Sequence, residues 1–212
     1  RAHAASYGVL SYAGAWLKQH YPLEFWVAAL NNNQGMYHPR VYVEAAKRGG
    51  VRFLRPDVNR SEEEYCLDGS AIRIGFNRIA GLGSEGIQAI LRQRGGRPYR
   101  SLTDFVQRTR LHEPQLRNLV RCGAFDTLGL NRPSLMMELG TAIRGHMTHQ
   151  RRQHIRRELA QPSLFEAAPA IPVRPNDDTR EQKIRDEWEV LGIATGPVPL
   201  AYMRSVLKGA VT

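Results

Sequence analysis

The sequence predicts a mainly α-helical fold with one short β element. Apolar residues recur at three- and four-residue spacings along most of the 212 residues, and glycines and prolines separate these stretches. Strand-like alternation is confined to Ile72, Ile74 and Phe76 in AIRIGF. Apolar residues make up 42% of the chain, enough to build a core. No apolar run approaches the roughly 20 residues of a membrane span, so we expect no membrane partner.

Three packed helices are expected in the first 50 residues. Residues 4–18 carry one apolar helical face, on which we expect the aromatic side chains to be core residues. That face comprises Val9, Leu10, Ala13, Trp16 and Leu17, and Tyr7 and Tyr12 follow the same spacing. A second helix lies in LEFWVAALNNN after a break at Pro22, and a third, PRVYVEAAKRGG, ends at paired glycines.

The middle of the chain combines the β element with further helices. VRFLRPDVN is predicted to be a short extended segment, because Pro56 keeps it from continuing far as an interior strand. After AIRIGF, the spacing of Ile79, Ala80 and Leu82 indicates one short helical turn, followed by a helix that ends near Gly95. Two more helices are predicted in SLTDFVQRT and in EPQLRNLVRCGAFDTLG.

A longer, arginine-rich helix is predicted from Pro133 to about Gln161. The segment EAAPAIPVRPNDD contains three prolines and predicts an extended linker. A charged helix from about Thr179 to Leu191 follows, and we expect Asp177 and Asp178 to cap it.

Charge and cysteine content narrow the class of protein. Thirty Lys and Arg against 20 Asp and Glu give a formal net charge of +10, which favours polyanionic partners, most commonly nucleic acid. The charge alone is equally compatible with a basic protein that has no such partner. Cys66 and Cys122 stand alone and indicate neither a zinc cluster nor a disulfide framework, so we expect a reducing cytoplasm.

The stretch GLGSEG fits two different kinds of site. A dinucleotide-binding loop needs a strand that runs directly into the first glycine, but Asn77 and Arg78 interrupt that strand. A second apolar strand is also missing, since the chain there reads GGRPYRSLTDF. A helix-hairpin-helix fits better, because Gly81 and Gly83 permit a tight turn and Leu82 between them can fill the core.

The hairpin predicts contacts with the DNA backbone. Amides at the start of a helix lack intrahelical partners, and those of residues 84–86 can bind phosphate oxygens without reading bases. The expected DNA-binding residues are Arg78, Gly81, Leu82, Gly83, Ser84, Glu85, Gly86, Arg92 and Arg94. A hairpin that only packs helices together is the alternative. A repair glycosylase or lyase would need a catalytic Lys or Asp just past the hairpin, where IQAILRQR has neither.

Several separated blocks together resemble the alpha subunits of bacterial DNA polymerase III, the family C polymerases. The blocks are RAHAASYGVLSYAGAWLKQHYPLEF, RPDVNRS, IRIGFNRIAGLGSEG, YRSLTDFVQR, LVRCGAFDTLG and LGIATGPVPL, and they cover nearly the whole chain. The stretch NNNQGMYHPRVYVEAAKRGG resembles the error-prone or accessory members. Because the chain begins without Met and in helical rhythm, we expect it to be a segment of a longer polypeptide.

The resemblance implies a domain order. Residues 1–60 would be the C-terminal part of the polymerase fingers and residues 61–132 a tandem helix-hairpin-helix region that holds duplex DNA. Residues 133–165 would be a basic helix that ends in a clamp-binding motif, and residues 166–178 a Pro-rich linker. Residues 179–212 would lead into an oligonucleotide-binding (OB-fold) domain that this segment lacks.

Further site residues follow from the resemblance alone. Arg1 and His3 match the start of a fingers helix and would face the incoming deoxynucleoside triphosphate, although a structural or solvated His3 is the alternative. QPSLF is similar to the motif that binds the sliding clamp, with Gln161, Leu164 and Phe165 as anchors, and an ordinary loop end is its alternative.

The resemblance also implies a DNA-directed DNA polymerase that acts with Mg²⁺ and with other replication or repair subunits. Such chemistry needs clustered carboxylates, which the palm would supply, and no such cluster is visible in this sequence. Glu62, Glu63 and Glu64 are expected to form a solvated face. We therefore assign no catalytic residue, metal ligand or cofactor to this segment. A free-standing scaffold that joins nucleic acid to a clamp is the alternative to a polymerase segment.

Overall fold

Helices form most of the chain that the computed structural model describes, which comprises residues 2–32, 35, 37–143 and 175–196. They are α1 (Ala2–His20), α2 (Pro22–Asn31), α3 (Pro39–Arg48), α4 (Gly83–Arg94), α5 (Leu102–Thr109), α6 (Glu113–Arg121), α7 (132–143) and α8 (Arg180–Leu191). Single 3-10 turns lie at Phe76–Arg78 and Asp126–Leu128. The strands are β1 (Arg52–Leu54), β2 (Cys66–Asp68) and β3 (Ala71–Arg73). The predicted mainly α fold with a short β element is confirmed.

The three strands form one small sheet in the order β1-β3-β2. β1 runs parallel to β3, with Phe53 opposite Ile72, and β2 runs antiparallel to β3. β3 is buried along its whole length: Ala71 and Ile72 are apolar, and the buried Arg73 pairs with Asp68 of β2. β2 was not predicted, because three residues that alternate between half-buried and exposed are too few to establish a period.

The first three helices occur where they are predicted, but the predicted core on α1 is wrong. Pro22 and Pro39 occupy the first positions of α2 and α3, where a missing amide costs nothing. Tyr7, Tyr12 and Trp16 on α1 are 59%, 74% and 45% exposed. The spacing identified an apolar helical face correctly, but within the described residues that face stays exposed to solvent. Periodicity shows that a face is apolar and cannot show what covers it.

The main core lies between the sheet and helices α4 to α6. Three aromatic rings form its centre in edge-to-face contacts, with centroids 4.7 Å apart for Tyr99 and Phe105 and 5.0 Å apart for Phe105 and Phe125. Leu82 and Ile90 belong to the same buried cluster. The turn that contains GLGSEG is therefore anchored directly in the core.

Helix α8 packs back onto this core although it follows a long intervening stretch of chain. Arg121 on α6 binds Asp186 and Glu189 of α8, and the amide of Ala80 donates to the carbonyl of Val190 at 3.0 Å. Glu187 is fully buried and contacts Arg55 next to β1. These bonds make α8 part of the same folded unit as the sheet and the hairpin.

The predicted cap of α8 is wrong. The side chain of Thr179 accepts a hydrogen bond from the amide of Gln182 and so caps the helix. Asp177 instead accepts a hydrogen bond from Lys183. The cap must directly precede the first helical residue, and the helix begins at Arg180.

Parts of the predicted organisation fall outside the described residues. Residues 132–143 are helical, while the remainder of the long predicted helix, most of the linker and the stretch after residue 196 are not described. The domain boundaries therefore stay predictions. Among the described residues, no helix combines the length and apolarity that crossing a membrane would require.

Candidate nucleic-acid interface

The GLGSEG stretch forms a tight turn between the 3-10 turn at residues 76–78 and α4. Gly81 has a φ of +73° and Gly83 a φ of +65°, values that residues with a Cβ rarely adopt. Leu82 between them is buried in the core. These three residues confirm the predicted hairpin geometry, in which two glycines reverse the chain around one apolar anchor.

The first turn of α4 presents backbone amides to solvent. Gly83, Ser84 and Glu85 are all exposed. The first amides of a helix have no intrahelical carbonyl to bind, and they lie at the positive end of the helix dipole. This turn can therefore donate hydrogen bonds to an anion.

Two of the predicted DNA-binding residues pack inward instead. The amide of Leu82 donates to the carbonyl of Ile79 at 3.2 Å, so it is not free. Gly86 is buried, and a Cβ at this position would lie 3.1 Å from Leu82 Cδ1 and 3.2 Å from Gln115 Nε2. Both residues shape the turn, and the structure places neither at its surface.

The carbonyls of the turn are occupied by side chains of α6. Gln115 Nε2 donates to the carbonyl of Leu82 at 2.7 Å and to that of Gly81 at 3.3 Å, and Asn118 Nδ2 donates to the carbonyl of Ala80 at 2.8 Å. The carbonyls of residues 80–82 are thereby paired, whereas residues 83–85 at the start of α4 are exposed. Sequence reasoning missed Gln115 and Asn118, whose only signal is two polar residues three positions apart on α6.

A second helical turn lies beside the first. α5 and α6 are joined through Arg110, which has a left-handed φ of +54°, Leu111 and His112. A Cβ at Gly86 would lie 3.3 Å from Leu111 Cδ2, so this connection contacts the first turn of α4. Arg110 and His112 flank Leu111 and are exposed. The sequence analysis did not single them out, and they add basic groups next to the exposed amides.

The three predicted arginines have different environments. Arg78 is half-buried and directly precedes the turn. Arg92 is exposed, and its Nε donates to the carbonyl of Gln88 in α4 at 3.2 Å. Arg94 is only 15% exposed at its side chain, where it binds Glu62 and the carbonyl of Ser61. At 1.5 Å per residue, Arg92 and Arg94 lie roughly 14–17 Å along α4 from Gly83, at the opposite end from the exposed amides.

Arg108 and its partners form a cluster of contacts at the C-terminal end of α4. Arg108 stacks over the ring of Tyr99, with its guanidinium carbon 4.4 Å from the ring centroid, and binds Asp104 at 3.2 Å. Desolvation would raise the pKa of Asp104, but the hydrogen bonds from the Arg100 amide and Arg108 outweigh it and hold this pKa below its usual value. Burial raises the pKa of Tyr99 to about 12, and its hydroxyl donates to the carbonyl of Ile90. This cluster is structural.

The remaining predicted site residues are only partly described. His3 is exposed on α1, with its ring edge-on to Tyr7 at a centroid distance of 4.5 Å. Arg1, Gln161, Leu164 and Phe165 lie outside the described residues. Within residues 2–32, 35, 37–143 and 175–196, no three His, Cys, Asp or Glu side chains lie together as a metal site would require.

Comparisons with known proteins agree with the hairpin geometry. A family model described as a helix-hairpin-helix motif matches residues 50–135. The chain is 31% identical to an error-prone DNA polymerase of Teredinibacter turnerae over 96% of the chain, which is 19% of that protein. It is 36% identical to DNA polymerase III subunit alpha of Xylella fastidiosa over 100% of the chain and 18% of that protein. It is 32% identical to the Thermus aquaticus DNA polymerase III subunit alpha, over 94% of the chain and 16% of that protein. The chain thus spans less than a fifth of the length of these relatives.

Proposed function

We propose that the chain binds duplex DNA as part of a bacterial polymerase. Nearly its whole length is homologous to one segment of DNA polymerase III alpha subunits and of error-prone DNA polymerases. The contact is made to the sugar-phosphate backbone, without reading the base sequence. One observation carries this proposal: the exposed first turn of α4 offers amide donors on a loop whose carbonyls are already bound.

The chemistry of this turn matches a phosphate group. Phosphate oxygens accept hydrogen bonds, and exposed amides at the positive end of a helix dipole donate them. Gln115 and Asn118 remove the partial negative charge that free carbonyls would present to the same ligand. The net charge of +10 and the adjacent Arg110 favour a polyanion further. Backbone amides contact every nucleotide in the same way, so binding does not depend on sequence.

Salt titration of duplex binding tests the proposal. We expect two labelled duplexes of unrelated sequence to bind with equal affinity in fluorescence anisotropy. We also expect log Kd to rise linearly with log salt between about 50 and 200 mM, with a slope of about 0.9 for each phosphate contacted. Binding that ignores salt, or that strongly prefers one duplex, contradicts the proposal.

Substitution of Ser84 assigns the binding to the exposed turn. Ser84→Asp adds a negative charge where a phosphate is expected, while an acidic residue in the first turn of a helix generally stabilises it. We therefore expect the DNA affinity to fall about tenfold while the thermal stability is unchanged or slightly higher. Ser84→Ala is the matched control and should bind as the unaltered chain does. Equal affinities of the two variants would move the contact away from this turn.

Nucleotide and clamp binding complete the proposal for the full-length protein, a DNA-directed DNA polymerase in the cytoplasm. Arg1 and His3 would face the incoming nucleotide. The described part of this chain contains no carboxylate cluster suited to Mg²⁺, so the ion would be bound elsewhere in the full-length protein. Gln161, Leu164 and Phe165 would bind the sliding clamp. Replacing Leu164 and Phe165 with alanine should then abolish co-elution with the clamp without changing duplex affinity, and unchanged co-elution contradicts the clamp assignment.

The subclass also stays a proposal. Relatives named as error-prone polymerases and relatives named as DNA polymerase III alpha subunits match the chain at similar identity. A fidelity measurement on the full-length enzyme would decide it, with frequent misincorporation expected of the error-prone type.

A further inference from the structure

Two buried polar atoms in the described part of the chain have no hydrogen-bond partner. They are the hydroxyl oxygen of Tyr65 and the Nε of Arg78. Tyr65 is 4% exposed, whereas Arg78 is half-buried and directly precedes the hairpin turn. Buried polar atoms are normally paired, because an unpaired one loses its hydration without compensation. An Nε–H group can only donate, and a tyrosine hydroxyl can accept, so the two atoms are chemically complementary.

The backbone brings these two residues together. The amides of Phe76 and Asn77 donate to the carbonyls of Glu62 and Glu63 at 3.0 and 2.9 Å. A side chain on Gly75 would collide with the backbone of Glu64, so the two segments are in direct contact. Arg78 continues one of these segments and Tyr65 the other. Burial raises the pKa of Tyr65 to about 12, and the positive charge of Arg78 is close enough to oppose that rise.

Asn31 holds the backbone of Tyr65 by two hydrogen bonds. Asn31 at the end of α2 accepts a hydrogen bond from the Tyr65 amide at 3.0 Å and donates to the Tyr65 carbonyl at 2.9 Å. These two bonds hold the backbone of Tyr65, and the burial of its side chain restricts the ring and its hydroxyl. An acceptor restricted in this way can restrict an arginine side chain that would otherwise sample many rotamers.

We propose that Tyr65 is a positioning residue for Arg78. One bridging water accepts the Nε–H of Arg78 and donates to the Tyr65 hydroxyl, since the two atoms make no direct hydrogen bond, and the terminal guanidinium nitrogens are left to bind a DNA phosphate next to the exposed turn of α4. This inference rests on the proposed duplex binding. The benefit is preorganisation, since a guanidinium that is already oriented loses less side-chain entropy when it binds.

A double-mutant cycle on the 212-residue chain tests the pair. Tyr65→Phe removes a hydroxyl that makes no direct hydrogen bond to another protein group in the described part of the chain, so the melting temperature should stay within about 2 °C of that of the unaltered chain. Duplex affinity should nevertheless fall about three- to tenfold, because Arg78 is no longer held in place. Arg78→Gln should weaken binding at least as much and lower the salt slope by about 0.9, the share of one phosphate. The double variant should bind no more weakly than Arg78→Gln alone. Arg48→Gln, an exposed arginine at the end of α3, is the control for loss of one positive charge.

Two results would overturn this inference. If the Tyr65→Phe variant binds duplex DNA as tightly as the unaltered chain, the hydroxyl has no role in binding. Losses that multiply in the double variant show that the residues act independently. If Arg78→Gln weakens binding while Tyr65→Phe does not, the duplex proposal survives and only the pairing fails. If Ser84→Asp is silent as well, the DNA contact lies away from the exposed turn of α4, and the duplex proposal itself fails only if binding ignores salt or strongly prefers one duplex.

Discussion

Replacing Glu187 with glutamine should strongly destabilise the folded chain. Glu187 lies on α8, outside the stretch that the helix-hairpin-helix family model matches, and it is fully buried. One carboxylate oxygen contacts the Nε of Arg55 and lies 3.7 Å from the guanidinium of Arg132. The other accepts hydrogen bonds from the amide and hydroxyl of Thr195 at 3.1 and 2.8 Å. The carboxylate thus joins three separate parts of the chain.

The expected magnitude follows from the partners that remain. Removing one member of a buried ion pair costs about 3–5 kcal/mol, because the other charge stays buried. Arg132 is buried but keeps its bidentate contact with Asp126, and Arg55 is 41% exposed, so we expect the lower part of this range. Glutamine also keeps the volume of the side chain, which avoids a cavity. A loss of about 3 kcal/mol corresponds to a fall of roughly 6–12 °C in the melting temperature of a domain of this size.

Thermal and urea unfolding followed by circular dichroism measures this loss. Glu189→Gln on the same helix is the matched control, because Glu189 is 52% exposed and pairs with Arg121 at the surface. Its loss should stay below about 1 kcal/mol. The reasoning is refuted if Glu187→Gln melts within about 2 °C of the unaltered chain, or if Glu189→Gln is destabilised as strongly.

Two further substitutions and two changes of condition probe the turn and the core. Leu82→Ala removes the buried anchor of the hairpin. It should lower the free energy of unfolding by about 3 kcal/mol and weaken DNA binding. Unchanged stability in urea would show that the anchor is dispensable. Glu85→Gln removes a negative charge from the exposed turn and should tighten duplex binding about two- to fivefold in anisotropy, and weaker binding would place the phosphate elsewhere. Cys66 should react with a thiol reagent in the folded chain and buried Cys122 only after unfolding, as spectrophotometry of the released chromophore would show. Burial raises the pKa of Cys122 to about 12 from 9.0. The stability that the neutral thiol contributes is therefore complete below pH 9 and is lost towards pH 12. A urea midpoint that did not fall between these pH values would contradict this expectation.

The hairpin is the part of the candidate site that the sequence predicted best. Gly81, Leu82 and Gly83 are adjacent, and the local chemistry of two glycines around one leucine is sufficient to predict a turn with a buried anchor. That Gly86 and Arg94 contact DNA stays a prediction, and both residues make contacts within the protein that the sequence did not show. Gly86 packs against α6 and Arg94 binds Glu62 and Ser61, partners that are distant in sequence and belong to other elements.

The residues that make the turn a donor surface could not be found from the sequence. Gln115 and Asn118 lie more than 30 positions from the carbonyls that they bind. In the sequence they are ordinary polar residues on an amphipathic helix. Only the packing of α6 against the turn gives them this role.

The sequence by itself determined the helical class, the positions of most helices and the glycine turn, because periodicity, capping and backbone freedom are local properties of a chain. Tertiary structure alone decided which apolar faces are covered, so among the described residues the apolar face of α1 stays exposed while α8 returns to complete the core. It also decided which polar groups remain unpaired, and so which amides face solvent and why Tyr65 and Arg78 lie together. Coverage and pairing depend on partners far apart in the chain, and no local pattern specifies them.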